Sequence, residues 1–220
     1  MAEEMNERIL IVTGGEIEDG FAGDLFDTGD YTYVIACDKG MEFFYRTGRH
    51  PDLIVGDFDS ANAECVDYFR KQPDVEIQQF PAKKDWTDTE LALRLSMEHH
   101  PGRIDLVGAT GSRLDHVLGN LQVLKAGLDA GVEVCLLDAH NRVRLINEPL
   151  TIKKEEQFGN YVSVIPFGGE VRLTLQGMKY PLDHGDLLPG VTLGISNEIT
   201  AEYGLISPEQ GYLLVIESRD

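Results

Sequence analysis

The first two thirds of the chain alternate between short apolar runs and segments with helical spacing of apolar residues. Apolar runs or strict alternation predict strands at residues 8–12, 31–37, 51–55, 75–80, 103–107 and 132–137. Helical spacing predicts helices at residues 40–45, 62–71, 87–99 and 114–130, the third opened by a Thr-x-x-Glu capping box at Thr87. Repeating strand–helix units of this kind predict a parallel α/β sheet with helices on both faces, a Rossmann-like three-layer domain.

After about Asn147 the helical period disappears. Short strands are predicted at residues 151–152, 161–165, 170–175, 192–195 and 212–217, with turns at 167–169 and 188–190. This pattern is typical of a small all-β sandwich or barrel. We therefore expect an α/β domain over residues 1–147 and a β domain over residues 148–220.

Composition and charge exclude several classes of protein. The net charge is −19, and no basic run exists to neutralise phosphates. Both observations argue against a nucleic-acid or anionic-membrane partner. The N-terminus lacks the pattern of a secretory signal, and no apolar run approaches the roughly 20 residues that cross a bilayer. The 3 cysteines are far apart and form no C-x-x-C pair, so we expect reduced thiols and a cytoplasmic location.

Aspartates follow strands or open helices at several points in the first half of the chain. Asp38 follows one predicted strand, Asp57 and Asp59 follow the next, and Asp85 and Asp88 flank a helix start. The carboxyl edge of a parallel sheet is where such folds bind ligands, and carboxylates gathered there repel one another unless a hard cation lies between them. The pattern thus indicates a Mg²⁺ site, although Asp-rich turns and solvated helix starts also explain each segment taken alone.

Two further features indicate a phosphate group beside this cation. Lys84 directly precedes Asp85, and a loop containing Gly108, Gly111, Ser112 and Arg113 joins a strand to a helix. Backbone N–H groups at a helix start and a guanidinium both suit an anion, although an ordinary strand–turn–helix junction has the same outline. The chain lacks a P-loop, a complete dinucleotide fingerprint and a G-x-S-x-G elbow, so covalent nucleophilic catalysis is not expected.

Taken in order, these segments resemble thiamine pyrophosphokinases of the bacterial type. The resemblance rests on Asp38-Lys-Gly, Gly56-Asp-Phe-Asp-Ser60, Lys84-Asp-x-Thr-Asp88, Gly108-x-x-Gly-x-Arg-x-Asp-His116 and Ser196-Asn197-Glu198. It implies transfer of the intact diphosphate of ATP to the hydroxyl of thiamine, releasing AMP. It also implies a homodimer whose β-sandwich domain completes the thiamine site of the other subunit.

Carried over by position, the resemblance assigns a role to each matching residue. Asp57, Asp59 and Asp88 would hold Mg²⁺ on the polyphosphate, Asp38 would lie at the same edge, and Arg113 would steady the transferred group. Asp115 would orient thiamine or accept its hydroxyl proton. Ser196 and Asn197 would face thiamine.

Two other functions remain open from the residues alone. A Mg²⁺-dependent nucleotide phosphohydrolase would use water in place of the alcohol. A non-catalytic nucleotide or metal sensor would bind ATP and Mg²⁺ without turnover.

Overall fold

The computed structural model describes residues 7–59, 61–81, 83 and 85–220, which form two compact units. The first unit ends at Ala139 and the second spans His140–Asp220. The sequence places this boundary at residue 147, later than the structure does, because a strand that the sequence analysis did not predict, Asn141–Ile146, pairs within the second unit. In the described part of the chain, no helix has both the length and the apolar character needed to cross a membrane.

The first unit is a parallel sheet with helices. Its strands are β1 Arg8–Val12, β2 Tyr33–Cys37, β3 Leu53–Gly56, β4 Glu76–Gln79, β5 Arg103–Val107 and β6 Glu133–Leu137. Its helices are α1 Asp19–Thr28, α2 Met41–Thr47, α3 Ala63–Phe69, α4 Asp88–Met97 and α5 Leu114–Asp129. The spatial order β6-β5-β1-β2-β3-β4, parallel throughout, confirms the predicted α/β class.

Helix α1 is absent from the sequence-based prediction, and packing explains why it forms. Its sequence contains Gly20 and Gly23, which disfavour a helix interior. Gly23 lies against the guanidinium of Arg49, where an added Cβ would come within 3.1 Å of a guanidinium nitrogen. Arg49 also pairs with Asp27 at 2.6 Å, and Ala22 is buried in the core of the first unit, so contacts with neighbouring segments compensate for weak local propensity.

Three cysteines that form no disulfide bond are buried in the first unit. Cys37, Cys65 and Cys135 are at most 1% exposed. Burial, with a smaller contribution from the charge of Glu42, raises the pKa of Cys65 to about 11. These thiols behave as small apolar core residues.

The second unit is an antiparallel β structure. Its strands are β7 Asn141–Ile146, β8 Leu150–Lys153, β9 Tyr161–Gln176, β10 Leu182–Leu187 and β11 Tyr203–Ser218. Strands β10, β9, β11 and β7 are neighbours in that order, and β8 also pairs with β11. The all-β prediction is confirmed, and the core includes Val162, Leu173, Ile206 and Leu213.

Several predicted details of this unit are wrong. Residues 167–169 were expected to form a turn but lie inside β9, where Gly168 has φ 75° and the pairing with β11 shifts register. Glycine here marks an irregularity in a long strand and not its end. Residues 192–195 were expected to form a strand but form a turn, in which Leu193 is 62% exposed. Strands β7 and β10 were not predicted.

Candidate active site at the carboxyl edge of the parallel sheet

The loops that follow β1 and β5 meet at the point where the strand order reverses. The Thr13 hydroxyl donates to the Gly108 carbonyl at 2.5 Å, and the Gly15 amide donates to the same oxygen at 2.8 Å. The Glu16 amide donates to the Thr110 carbonyl at 2.8 Å. Ligands of open α/β sheets bind beside such a switch point, so this edge is the candidate site.

Close backbone approach requires glycine in these loops. A Cβ added to Gly15 would lie 2.2 Å from the carbonyl oxygens of Gly108 and Thr110, and Gly108 itself has φ 71°. The side chain of buried Asn120 donates to the Ala109 carbonyl at 2.8 Å and fixes the same loop from α5. No role of Gly15 or Asn120 is predicted from the sequence. For Gly15, the signal in the sequence is the Gly-Gly pair directly after a predicted strand.

Asp38, Asp57 and Asp59 lie at the ends of two adjacent strands. Asp38 follows β2 and has φ 45°, an uncommon value for a residue other than glycine. A Cβ added to Gly56, the last residue of β3, would come within 3.3 Å of backbone and Cβ atoms of Asp38. Asp57 turns the chain by accepting the Asp59 amide at 3.0 Å. The predicted gathering of these residues at one sheet edge is what the structure shows.

The electrostatics of this cluster fit a cation. The charge of Asp57, a hydrogen bond to Asp57 and the charges of Asp38 and Asp88 raise the pKa of Asp59. Mutual repulsion of this kind is relieved when a cation binds between the carboxylates. Within the described residues, no three His, Cys, Asp or Glu side chains are placed to hold a metal ion by themselves. The donor set instead fits an ion, such as Mg²⁺, whose coordination carboxylates share with substrate phosphate oxygens and water.

Helix α4 carries the next candidate residue. Its N-cap is Thr87, whose hydroxyl accepts the Glu90 amide at 3.2 Å, so the predicted capping residue is confirmed. Asp88 is the first helical residue and contributes to the field at Asp59. Two residues of the sequence motifs, Lys84 and Ser60, lie outside the described residues.

Arg113 and Asp115 pair at the start of α5. The guanidinium donates to both carboxylate oxygens, at 3.2 and 2.6 Å, and both side chains are 67% exposed. Hydrogen bonding to Arg113 lowers the pKa of Asp115 to about 2. Both roles expected of Asp115, to orient thiamine or to accept its hydroxyl proton, require this ion pair to open, because Arg113 occupies both carboxylate oxygens.

Ser196 and Asn197 lie in the second unit and differ sharply in their environment. Ser196 is exposed and has φ 56°. Asn197 is 4% exposed, and its side chain accepts the amides of Tyr180 and Glu198 and donates to the Tyr180 carbonyl, at 2.8 to 3.0 Å. The side-chain amide of Asn197 therefore links its own loop to the backbone at Tyr180.

Comparisons with known proteins agree across both units. A family model described as thiamin pyrophosphokinase, catalytic domain, matches residues 28–136. A second, described as thiamin pyrophosphokinase, vitamin B1 binding domain, matches residues 149–213. The chain is 37% identical over 195 residues to a thiamine pyrophosphokinase of Bacillus subtilis, covering 88% of this chain and 90% of that protein.

Solved structures show the same relationship. A crystal structure of thiamine pyrophosphokinase from Bacillus subtilis has a TM-score of 0.86 at 35% identity, covering 97% of this chain and 100% of that one. The thiamin pyrophosphokinase of Geobacillus thermodenitrificans has a TM-score of 0.82 at 34% identity, covering 97% and 98%. The chain belongs to the thiamine pyrophosphokinase family.

Proposed function

We propose that the chain transfers the diphosphate group of ATP to the hydroxyl of thiamine, giving thiamine diphosphate and AMP. The observation that carries the proposal is the convergence of Asp38, Asp57, Asp59 and Asp88 on one electrostatic site at the carboxyl edge of a sheet of this family. Family membership does not favour the phosphohydrolase or the sensor. The buried cysteines, which form no disulfide bond, support a cytoplasmic location.

Asp57, Asp59 and Asp88 are the proposed ligands of Mg²⁺ bound together with ATP. The ion would neutralise part of the triphosphate charge and align the phosphates. Asp38 lies beside Gly56, the residue that directly precedes Asp57. Its role is to add to the negative field that selects a doubly charged cation.

The other proposed site residues position the phosphates and thiamine. Transfer of a phosphoryl-type group needs mainly alignment and charge compensation. Gly108, Gly111 and Ser112 bring the backbone of the loop close to the phosphates, Lys84 adds a positive charge, and Arg113 binds the transferred group. To do so, Arg113 exchanges one or both of its hydrogen bonds with Asp115, which is then free to orient thiamine.

The homodimer and the shared active site are also proposals. The metal and phosphate residues lie in the first unit, while Ser196, the exposed candidate for thiamine, lies in the second. A two-fold dimer would create two equivalent sites. Co-expression of Asp57→Asn with Ser196→Gln, each inactive alone, tests the arrangement.

With shared sites, a mixed dimer has one site carrying both changes and one intact site. Random pairing makes half of the dimers mixed, so activity should recover to roughly a quarter of wild type. Absence of recovery, with mixed dimers confirmed by mass spectrometry, would exclude the shared site.

The reaction itself is tested by analysing the products. Protein, ATP, Mg²⁺ and thiamine should give AMP and thiamine diphosphate in equal amounts, without thiamine monophosphate. ADP as the main nucleotide product would indicate an ordinary kinase. Consumption of ATP without thiamine would indicate a phosphohydrolase.

A further inference from the structure

Trp86 is an exposed aromatic side chain beside the candidate metal site. It is the single tryptophan of the chain and is 46% exposed. It lies two residues before Asp88, so their Cα atoms are at most about 7.6 Å apart. Large aromatic side chains carry most of the contact energy of ligand surfaces, and here one lies near the proposed phosphates without being part of the core.

The indole is held in a defined orientation. The Arg94 guanidinium lies over the ring, 4.7 Å from its centre. Glu90 fixes Arg94 in turn, accepting from its Nε at 3.1 Å and from its terminal nitrogen at 2.9 Å. Because one face is covered by Arg94 and nearly half of the residue is still exposed, the ring is a pre-organised platform for a planar ligand.

The charge of Arg94 decides which substrate ring fits this platform. A cation over one face of an aromatic ring is attracted by the negative quadrupole of the ring, and it repels a second cation on the opposite face. The thiazolium of thiamine carries a positive charge, whereas adenine is neutral. Stacking on Trp86 therefore favours the base of ATP, as aromatic side chains do for bases in general.

We infer that Trp86 stacks on the adenine of ATP and sets the preference of the enzyme for a nucleotide over a triphosphate without a base. The inference rests on the proposed function for the identity of the nucleotide. It assigns Trp86 as a specificity-determining residue, held in position by Arg94 and Glu90.

Kinetics with two diphosphate donors test this assignment. Wild type, Trp86→Leu and the conservative Trp86→Phe are compared with ATP and with ribose 5′-triphosphate, which lacks a base. Trp86→Leu should raise KM for ATP by about 10-fold, within the range of base–aromatic stacking. KM for the base-free donor and for thiamine should change by less than about twofold. Trp86→Phe should recover most of the ATP preference.

An equal change in KM for both donors would show a purely structural role, and a selective change in KM for thiamine would place the ring on the other substrate. Either result overturns the inference. Intrinsic fluorescence gives a second measurement, since Trp86 is the sole indole. AMP should quench it and ribose 5′-phosphate should not.

The fluorescence titration needs no turnover. If thiamine diphosphate does not form but AMP still quenches Trp86, the proposed reaction is contradicted and the stacking of adenine on Trp86 is supported. If the reaction proceeds and AMP leaves the fluorescence unchanged, the platform is wrong and the reaction stands.

Discussion

Replacing Asn197 by Ala separates a structural role from a role in binding thiamine. The resemblance to the family places this residue at thiamine, whereas the structure shows its side chain joined to the backbone of Tyr180 and Glu198. Alanine removes the whole amide group. It leaves the backbone amides of Tyr180 and Glu198 and the Tyr180 carbonyl without this partner.

The expected cost follows from the hydrogen bonds lost. The side chain forms 3 of them, at 3.0, 2.8 and 2.9 Å, and the residue is 4% exposed. At about 1 kcal/mol of net stability each, the free energy of unfolding should fall by about 3 kcal/mol. A domain is stable by only about 5–15 kcal/mol, so the loss is large for a single substitution.

Urea unfolding followed by circular dichroism measures the change, and hydrogen exchange in β9 localises it, because Val162 pairs with the Asn197 backbone. Ser196→Ala is the matched control. It keeps the Ser196 amide that donates to Ser163 at 3.0 Å and removes only an exposed hydroxyl, so stability should stay within about 0.5 kcal/mol. A fully stable Asn197→Ala protein with weakened thiamine binding would refute the structural role.

Three other changes have defined outcomes. Asp57→Asn should keep the fold and reduce turnover at limiting Mg²⁺ by about 10²-fold, and near-normal turnover would contradict the metal assignment. Arg113→Ala should raise the pKa of Asp115 from about 2 towards about 3.9, measured by NMR titration of its carboxyl carbon. Glu217 is 0% exposed; burial raises its pKa, but hydrogen bonds from Arg142 and the Phe158 amide outweigh burial and lower it. The contribution of Glu217 to stability is therefore complete above its unfolded pKa of about 4.5 and is lost as the pH falls through the lowered folded pKa. Glu217→Gln should weaken this pH dependence and lower the free energy of unfolding, measured in urea, by about 3–5 kcal/mol.

The parallel sheet was predictable because each of its strands carries its own signal. The run of residues 103–107 is apolar apart from Arg103 and Asp105, and the structure has β5 at Arg103–Val107. Asp105 is fully buried there, held by Arg8 at 3.0 Å and Arg103 at 2.8 Å. The local pattern therefore identified the strand, whereas part of the compensation of its buried charge comes from Arg8, 97 positions away in the chain.

The second unit was less predictable because its long strands contain irregularities. Strands β9 and β11 have 16 residues each and shift register near Pro208 and Gln210. Glycine and proline at such points resemble turns in sequence. Only the pairing of the two strands, which is not local, shows that they continue.

The candidate site also has features that the sequence predicts and features that it does not. The aspartates were visible because an acidic residue after an apolar run is a local feature, as at Asp57. The hydrogen bonds of Thr13 and Asn120 to the loop could not be predicted from the sequence. These residues are 95 and 11 positions from their partners, Gly108 and Ala109. The engagement of Asn197 with Tyr180, 17 residues away, was hidden for the same reason.

The buried thiols make the first unit chemically distinguishable from the second. Cys37, Cys65 and Cys135 all precede Ala139, and none is accessible in the folded chain. A thiol reagent applied in a short pulse therefore labels molecules whose first unit has opened, whatever the state of the second. The number of labels per molecule during urea unfolding would then reveal whether the two units lose structure together or one after the other.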